Sequence, residues 1–141
     1  MSDAIKVLMD DHRKVERLYK QAGEGGNYDI CMQICQELTV HATLEEEIVY
    51  PVVEDEIDPD MAEEAQLEHE AAKGLIDEIQ AMEPGDPQLR QAMRMLMNAV
   101  RHHVQEEESD VFPKMEAQLG VDRLKDMQRE MWRRKQELLP G

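Results

Sequence analysis

Four histidines and two glutamates are the residues of this sequence best placed to do chemistry. His12, His41, His69 and His103 each fall on the apolar side of a different amphipathic segment, and Glu45 and Glu107 stand four residues after the second and the fourth. Residues four apart share one face of a helix, so each His-x-x-x-Glu pair sends an imidazole and a carboxylate in one direction. A carboxylate facing a core is costly unless it is paired or bound to a metal. No Lys or Arg shares these stripes near the two glutamates, so the demand is for cations. Neutral imidazole is a good ligand for iron, zinc and copper. Six protein ligands are too many for a tetrahedral zinc. They suit two octahedral ions bridged by the two glutamates and a solvent-derived group, with positions left open. One core histidine or one His-x-x-x-Glu is a weak signal; four histidines at one depth with two matched glutamates is a strong one. His102 lies one step of ~100° round the helix from His103 and is placed outside the set.

The segments that must position these side chains are helical. Ile5, Leu8, His12, Val15 and Tyr19 draw one stripe. Ser2 is the expected N-cap, and Gly23, Gly25 and Gly26 end the segment. A second helix starts near Asn27, with Ile34, Leu38, His41, Glu45, Ile48 and Val52 inward and a bend at Pro51. Asp58 and Pro59 open a third, with Ala62, Ala65, His69, Ala72, Ile76 and Ile79 on its stripe. Asp86 and Pro87 repeat that start for a fourth, with Leu89, Ala92, Leu96, Val100, His103 and Glu107. A shorter fifth helix, about Val121 to Leu138, turns Val121, Leu124, Met127, Met131 and Leu138 to one side. No segment alternates like a strand. The expected fold is all-α: an up-down-up-down four-helix bundle over residues 1–118, and a C-terminal amphipathic helix over 119–141 packing on it.

The halves of the bundle resemble each other. His41-x-x-x-Glu45 runs on to Tyr50-Pro51, and His103-x-x-x-Glu107 runs on to Phe112-Pro113 at the same spacing. Asp11-His12 likewise has a counterpart in Glu68-His69.

Composition bounds the partners. The chain has 141 residues, 41% of them apolar, which suits one domain with one core. Its formal net charge is −16: residues 1–120 carry 10 basic and 28 acidic side chains, and residues 121–141 carry 6 and 4. So acidic a chain repels nucleic acid and anionic lipid, and no run approaches the ~20 apolar residues of a membrane span. The first residues lack the basic and apolar parts of a signal peptide. The expectation is a cytoplasmic protein, a monomer or weak homo-oligomer. Cys31 and Cys35, four apart on a helix, read as buried reduced thiols. The remaining glutamates of the runs 45–47 and 106–108 read as solvated, or as guides for cations.

The pattern H…HxxxE…H…HxxxE, in the contexts HATLEEEIVYP, LEHEAAKGLIDEI and HHVQEEESDVFP, resembles the hemerythrin-like, HHE cation-binding family over roughly residues 5–115. The resemblance implies a four-helix bundle around a non-haem centre of two iron ions, with His12, His41, Glu45, His69, His103 and Glu107 as ligands. Members bind O₂ or nitric oxide, sense iron or oxygen, decompose peroxide, or help repair iron centres. The sequence departs from the oxygen-carrying branch at two places. Lys73 stands where that branch has a fifth histidine, and HxxxE replaces HxxxxD. One coordination position is thereby left to water, substrate or another side chain, which favours catalase-like peroxide turnover or nitric oxide binding over stable O₂ carriage. Tyr50 is the candidate near-metal, catalytic side chain. Nine steps along an ideal helix point it away from the site, and the bend at Pro51 is what would bring it in; the alternative is packing at the bundle end, like Phe112. Lys73 either leans over the site or reaches to solvent.

Overall fold

The computed structural model describes residues 3–139. Among these residues seven α-helices follow one another: α1 (Ala4–Gln21), α2 (Tyr28–Leu44), α3 (Tyr50–Glu56), α4 (Pro59–Gln80), α5 (Leu89–Glu106), α6 (Phe112–Leu119) and α7 (Val121–Leu138). Two π-helical turns, Glu45–Val49 and Glu107–Val111, join α2 to α3 and α5 to α6 without a break. The result is the all-α, up-down-up-down bundle, built from α1, α2–α3, α4 and α5–α6. No strand occurs among the described residues.

Local signals set most of the boundaries. Asn27 accepts the Ile30 N–H at 3.1 Å, and Asp58 accepts the Asp60 N–H at 2.9 Å with Pro59 opening α4. The expected cap Ser2 lies outside the described residues; the Asp3 carboxylate accepts the Lys6 N–H at 3.0 Å. The start at Asp86 and Pro87 needs correction. Asp86 does accept the Gln88 N–H at 2.8 Å, but its carbonyl takes the Leu89 N–H. That three-residue turn delays α5 to Leu89. Between α1 and α2, Gly25 (φ +97°) passes so close to α5 that a Cβ would sit 3.1 Å from Met93 Cβ. A side chain there would be both strained and crowded.

The second helix corrects the simple periodic stripe. Its inward residues beyond Glu45 are Val49, Tyr50 and Val53, while Ile48 and Val52 are only half-buried. The pattern has slipped by one residue because the Tyr50 N–H bonds back to the Glu45 carbonyl, an i→i+5 step. That step adds a residue to the turn and rotates everything after it by ~100°. Pro51 is the local reason: in a regular α-helix its ring would clash with the Glu47 carbonyl four residues back. The same device recurs in the other half. The Phe112 N–H bonds to the Glu107 carbonyl, Pro113 follows, and Val111, Phe112 and Met115 are buried.

Two apolar clusters bracket the histidine layer. One, toward the α1–α2 and α4–α5 loops, holds Val15, Ile34, Ile79, Met93 and Leu96. The other holds Leu8, Val53, Phe112 and Met115, together with Leu124, Met127 and Met131 of α7. Fully burying side chains of this size is worth ~1.5–3 kcal/mol each, so α7 is held mainly by its apolar face. Val121, expected on that face, is 62% exposed, because α7 meets the cluster only from Leu124 onward. Ion pairs Arg123–Glu56, Arg134–Glu47 and Lys135–Asp11 set its basic face against the acidic bundle. Cys31 and Cys35 are buried free thiols, and burial, then the neighbouring Cys31, pushes Cys35 up to about 12. Among the described residues no helix is long and apolar enough to cross a membrane.

Candidate metal centre

The fold brings His12, His41, Glu45, His69, His103 and Glu107 into one layer, each 9% exposed or less. They form two groups whose ligand atoms are close enough to hold an ion: His12, His41 and Glu107, and Glu45, His69 and His103. Each group takes its glutamate from one half of the chain and at least one histidine from the other, so neither half can complete a group alone.

Every one of the four imidazoles is oriented in the same way. Nε2 points to the centre, and Nδ1 meets a carboxylate on a neighbouring helix. His41 Nδ1 lies 3.0 Å from Asp11, His12 Nδ1 2.8 Å from Glu108, His69 Nδ1 2.9 Å from Glu46, and His103 Nδ1 2.7 Å from Glu68. A carboxylate at Nδ1 fixes the tautomer that leaves Nε2 free as a ligand, and makes it a stronger one. Glu46 and Glu108, expected in solvent or as guides for cations, are instead these orienting groups. Asp11 and Glu68 were also missed in that role. The signal that could have found them is adjacency. Asp11-His12, Glu45-Glu46, Glu68-His69 and Glu107-Glu108 each pair a ligand candidate with an acid one residue away, ~100° round the helix and thus facing the next one. The repeat between the halves carries all four.

Tyr50 is drawn to the centre by the π-helical turn. Its hydroxyl lies 3.1 Å from Glu45, 2.9 Å from His69 Nε2, 2.9 Å from His103 Nε2 and 3.0 Å from Glu107. Phe112, its counterpart, has no polar tip and stacks on His12 with ring centroids 6.0 Å apart. A hydroxyl has one hydrogen to give. Four such contacts are all favourable only if protons sit on the imidazoles or a cation sits among them.

The electrostatics carry the same message. Burial alone would pull His41 and His103 down. The carboxylates around them outweigh it: Glu45 and Asp11 hold His41 at about 10, and Glu107 and Glu45 hold His103 at about 12. Burial pushes Glu45 up, but His41, Glu107 and His103 more than offset it, and it lies well below the usual carboxylate range. Tyr50 is raised by burial and then by Glu45 and Glu107, so its hydroxyl stays protonated without a cation nearby. Among the described residues four buried atoms make no well-formed hydrogen bond: His12 Nε2, His41 Nε2, Glu45 Oε2 and Glu107 Oε1, although His12 Nε2 lies 3.3 Å from Glu107 Oε1 and His41 Nε2 3.4 Å from Glu45 Oε1. Buried polar atoms are nearly always partnered. Four orphans gathered in one layer, all of them atoms that ligate metals, fit a cation site.

Lys73 does not simply reach to solvent. Its ammonium donates to Glu46 at 2.9 Å, behind His69. An apolar cavity of about 90 Å³ reaches all four histidines from the loop-side core, walled by Val15, Leu38, Ile76 and Val100.

Comparison with known proteins agrees with this geometry. The Hemerythrin HHE cation binding domain family matches residues 3–115, and again residues 68–140. A DNA nickase of Nostoc sp. (strain PCC 7120) is 30% identical over 130 residues, 89% of this chain but 36% of that protein. An uncharacterised hemerythrin-like protein of Schizosaccharomyces pombe is 31% identical over 129 residues, 86% of this chain and 62% of its own length. The chain therefore spans between about a third and two thirds of these relatives. A solved hemerythrin HHE cation-binding domain-containing protein from Mycobacterium kansasii superposes with a TM-score of 0.82 at 19% identity, over 98% of this chain and 88% of that one, so it shares the fold. With its bundle, its paired His/Glu groups and a family match across most of its length, the chain belongs to the hemerythrin HHE cation-binding family.

Proposed function

We propose that the centre holds two iron ions and reacts with a small oxidant, peroxide first, in oxidative or nitrosative stress or in iron homeostasis. The observation that carries this reading is the set of four orphaned atoms on His12, His41, Glu45 and Glu107, gathered where four Nε2 atoms converge. His12, His41 and Glu107 would hold one ion and Glu45, His69 and His103 the other, with the glutamates shared between them. Iron bound there supplies a change of oxidation state and open coordination positions. The chain's own residues do the rest. Asp11, Glu46, Glu68 and Glu108 keep the imidazoles aimed. Tyr50, at the centre and protonated in the metal-free form, can hand a proton to a peroxide oxygen or join the ligand set of the second ion. Lys73 fixes Glu46 behind His69. The apolar cavity admits a small uncharged molecule and excludes bulk water.

A second reading follows from that cavity. Apolar walls favour O₂ or nitric oxide over peroxide, which suits a reversible binding or sensing module. No DNA activity is carried over from the nickase: the match covers 36% of that protein, and this chain's net charge is −16.

Metal analysis and an absorption spectrum of freshly purified protein, before and after peroxide, test the proposal. The expected result is two irons per chain, with oxygen release that scales with iron content and falls by more than ~100-fold in His103→Ala. A stable coloured adduct without turnover would favour the binding module. Traces of zinc and no iron uptake on reconstitution would refute the iron centre.

A further inference from the structure

Of the four carboxylates that orient the imidazoles, three are balanced by a fixed cation. Glu46 has Lys73 at 2.9 Å, Glu108 has Arg13 at 3.8 Å, and Asp11 has Lys135 at 3.7 Å. Glu68 differs. Among the described residues no Lys or Arg lies in salt-bridge range of it. Its Oε1 serves His103, and its Oε2 lies 3.3 Å from Nε2 of His102, whose side chain is 66% exposed. The same Nε2 lies 3.0 Å from Glu106 Oε1. His102, Glu68 and Glu106 thus form a third group with one ligand atom each, all within 4.8 Å of one another.

The two carboxylates of this group, Glu68 and Glu106, line a cavity of about 430 Å³ whose sides also include Glu64 and Asp110 and whose lining includes the buried His103 and Glu107. Glu107 is 1% exposed and carries one of the orphaned oxygens. The cavity therefore runs from the two outer carboxylates to His103 and Glu107, two candidate ligands of the centre.

We propose that His102, Glu68 and Glu106 form an outer site for a divalent transition-metal cation, through which the buried centre is loaded. An imidazole with two carboxylates is a ligand set for iron(II), zinc or manganese. The acidic walls concentrate such cations at the mouth. Glu68 belongs to both places, one oxygen on His102 and the other on the imidazole of His103. A cation held on the outer face is then one side chain away from the centre. Binding at the outer site stands on its own geometry; the loading role rests on the metal-centre reading above.

The test uses full-length, metal-free protein and Zn²⁺ as the probe. Uptake is followed by competition with a fluorescent chelator, and stoichiometry by calorimetry. The variants are His102→Ala with Glu106→Gln, and Glu54→Gln as a charge control on another surface. Wild type is expected to show two tight ions and one weaker one. The double variant should lose the weaker ion, keep both tight ones, and load about tenfold more slowly, the low end of the rate gain that a focusing acidic mouth provides. Glu54→Gln should load at the wild-type rate. A double variant with an unchanged weak site and unchanged rate would overturn the outer site and leave the buried centre intact. Loss of the weak ion at an unchanged rate would overturn the loading role alone. Fewer tight ions in the double variant would mean that the pair only props up the centre, and would also overturn it. No tight ion in wild type would defeat the buried centre, with the weak Zn²⁺ event still deciding the outer site.

Discussion

The two halves of the bundle repeat one design and diverge in one atom at the centre. Each supplies an acid–histidine dyad, a His-x-x-x-Glu pair, a following glutamate that orients a histidine of the other half, and a π-helical turn closed by proline. At the residue the π turn swings inward, the first half has Tyr50 and the second has Phe112. The tyrosine hydroxyl reaches Glu45, His69, His103 and Glu107; the phenylalanine ring lies flat on His12. The scaffold is thus nearly two-fold, while the chemistry it surrounds is one-sided. Three of the four hydroxyl contacts fall on the group of Glu45, His69 and His103; the other group shares the hydroxyl only through Glu107 and carries the apolar Phe112 on His12.

Exchanging the odd pair breaks the comparison most severely. Tyr50→Phe is expected to lower peroxide turnover by ~10²-fold, the size of a lost proton donor, with metal content retained. Phe112→Tyr buries a new hydroxyl against His12 in a packed core and should cost about 1–3 kcal/mol in thermal unfolding. Equal turnover in wild type and Tyr50→Phe would show that the asymmetry has no chemical consequence.

A smaller effect should come from the orienting acids. Glu46→Gln and Glu108→Gln occupy equivalent places, so each should weaken metal binding by ~10–100-fold in a competition titration. Glu46 also holds Lys73 at 2.9 Å, whereas Arg13 stays 3.8 Å from Glu108. Glu46→Gln is therefore expected to be the more harmful. The reverse order would mean that Lys73 does not brace His69.

The smallest effect is a dependence on pH. His41 and His103 are held above their ordinary value of 6.5, at about 10 and about 12, so the stability they add to the metal-free form is full below about pH 6.5 and fades as pH rises toward those values. Glu45 is held low, so its contribution is present above its ordinary range and lost on acidification. Metal must displace the imidazole protons, and binding tightens as they leave. The melting-temperature gap between loaded and metal-free protein should widen from about pH 6.5 to about pH 9. A gap that narrows over that range would show that the imidazoles are neutral before metal arrives.

The histidines, the two glutamates and the bundle could be read from the sequence because each depends on spacing along one helix. An i, i+4 pair shares a face whatever the helix packs against, and caps such as Asn27 and Asp58 act on their own N–H groups. Tyr50 could not be placed that way. Its direction depends on whether the backbone takes an α or a π step after Glu45, and a regular wheel sends it outward. The repeated tyrosine- or phenylalanine-proline after each His-x-x-x-Glu was the local trace of that step, and it was read as a bend rather than as one added residue.

The orienting carboxylates and the outer group around His102 belong to a different class. Asp11, Glu46, Glu68 and Glu108 act between helices, and in a chain with 32 Asp and Glu a place next to a ligand candidate does not by itself say which imidazole each one meets. Adjacency to a ligand candidate marks them as turned toward the next helix, but only the packing of α1 on α2, of α4 on α5, and of each half against the other decides which acid meets which Nδ1. The sequence determined which side chains of the regular helices face the core as far as the π turns, because that is a property of one helix and its period. The tertiary structure decided which of them meet, which atoms remain unpartnered, and where solvent reaches the layer, because those depend on distances between segments far apart in the chain.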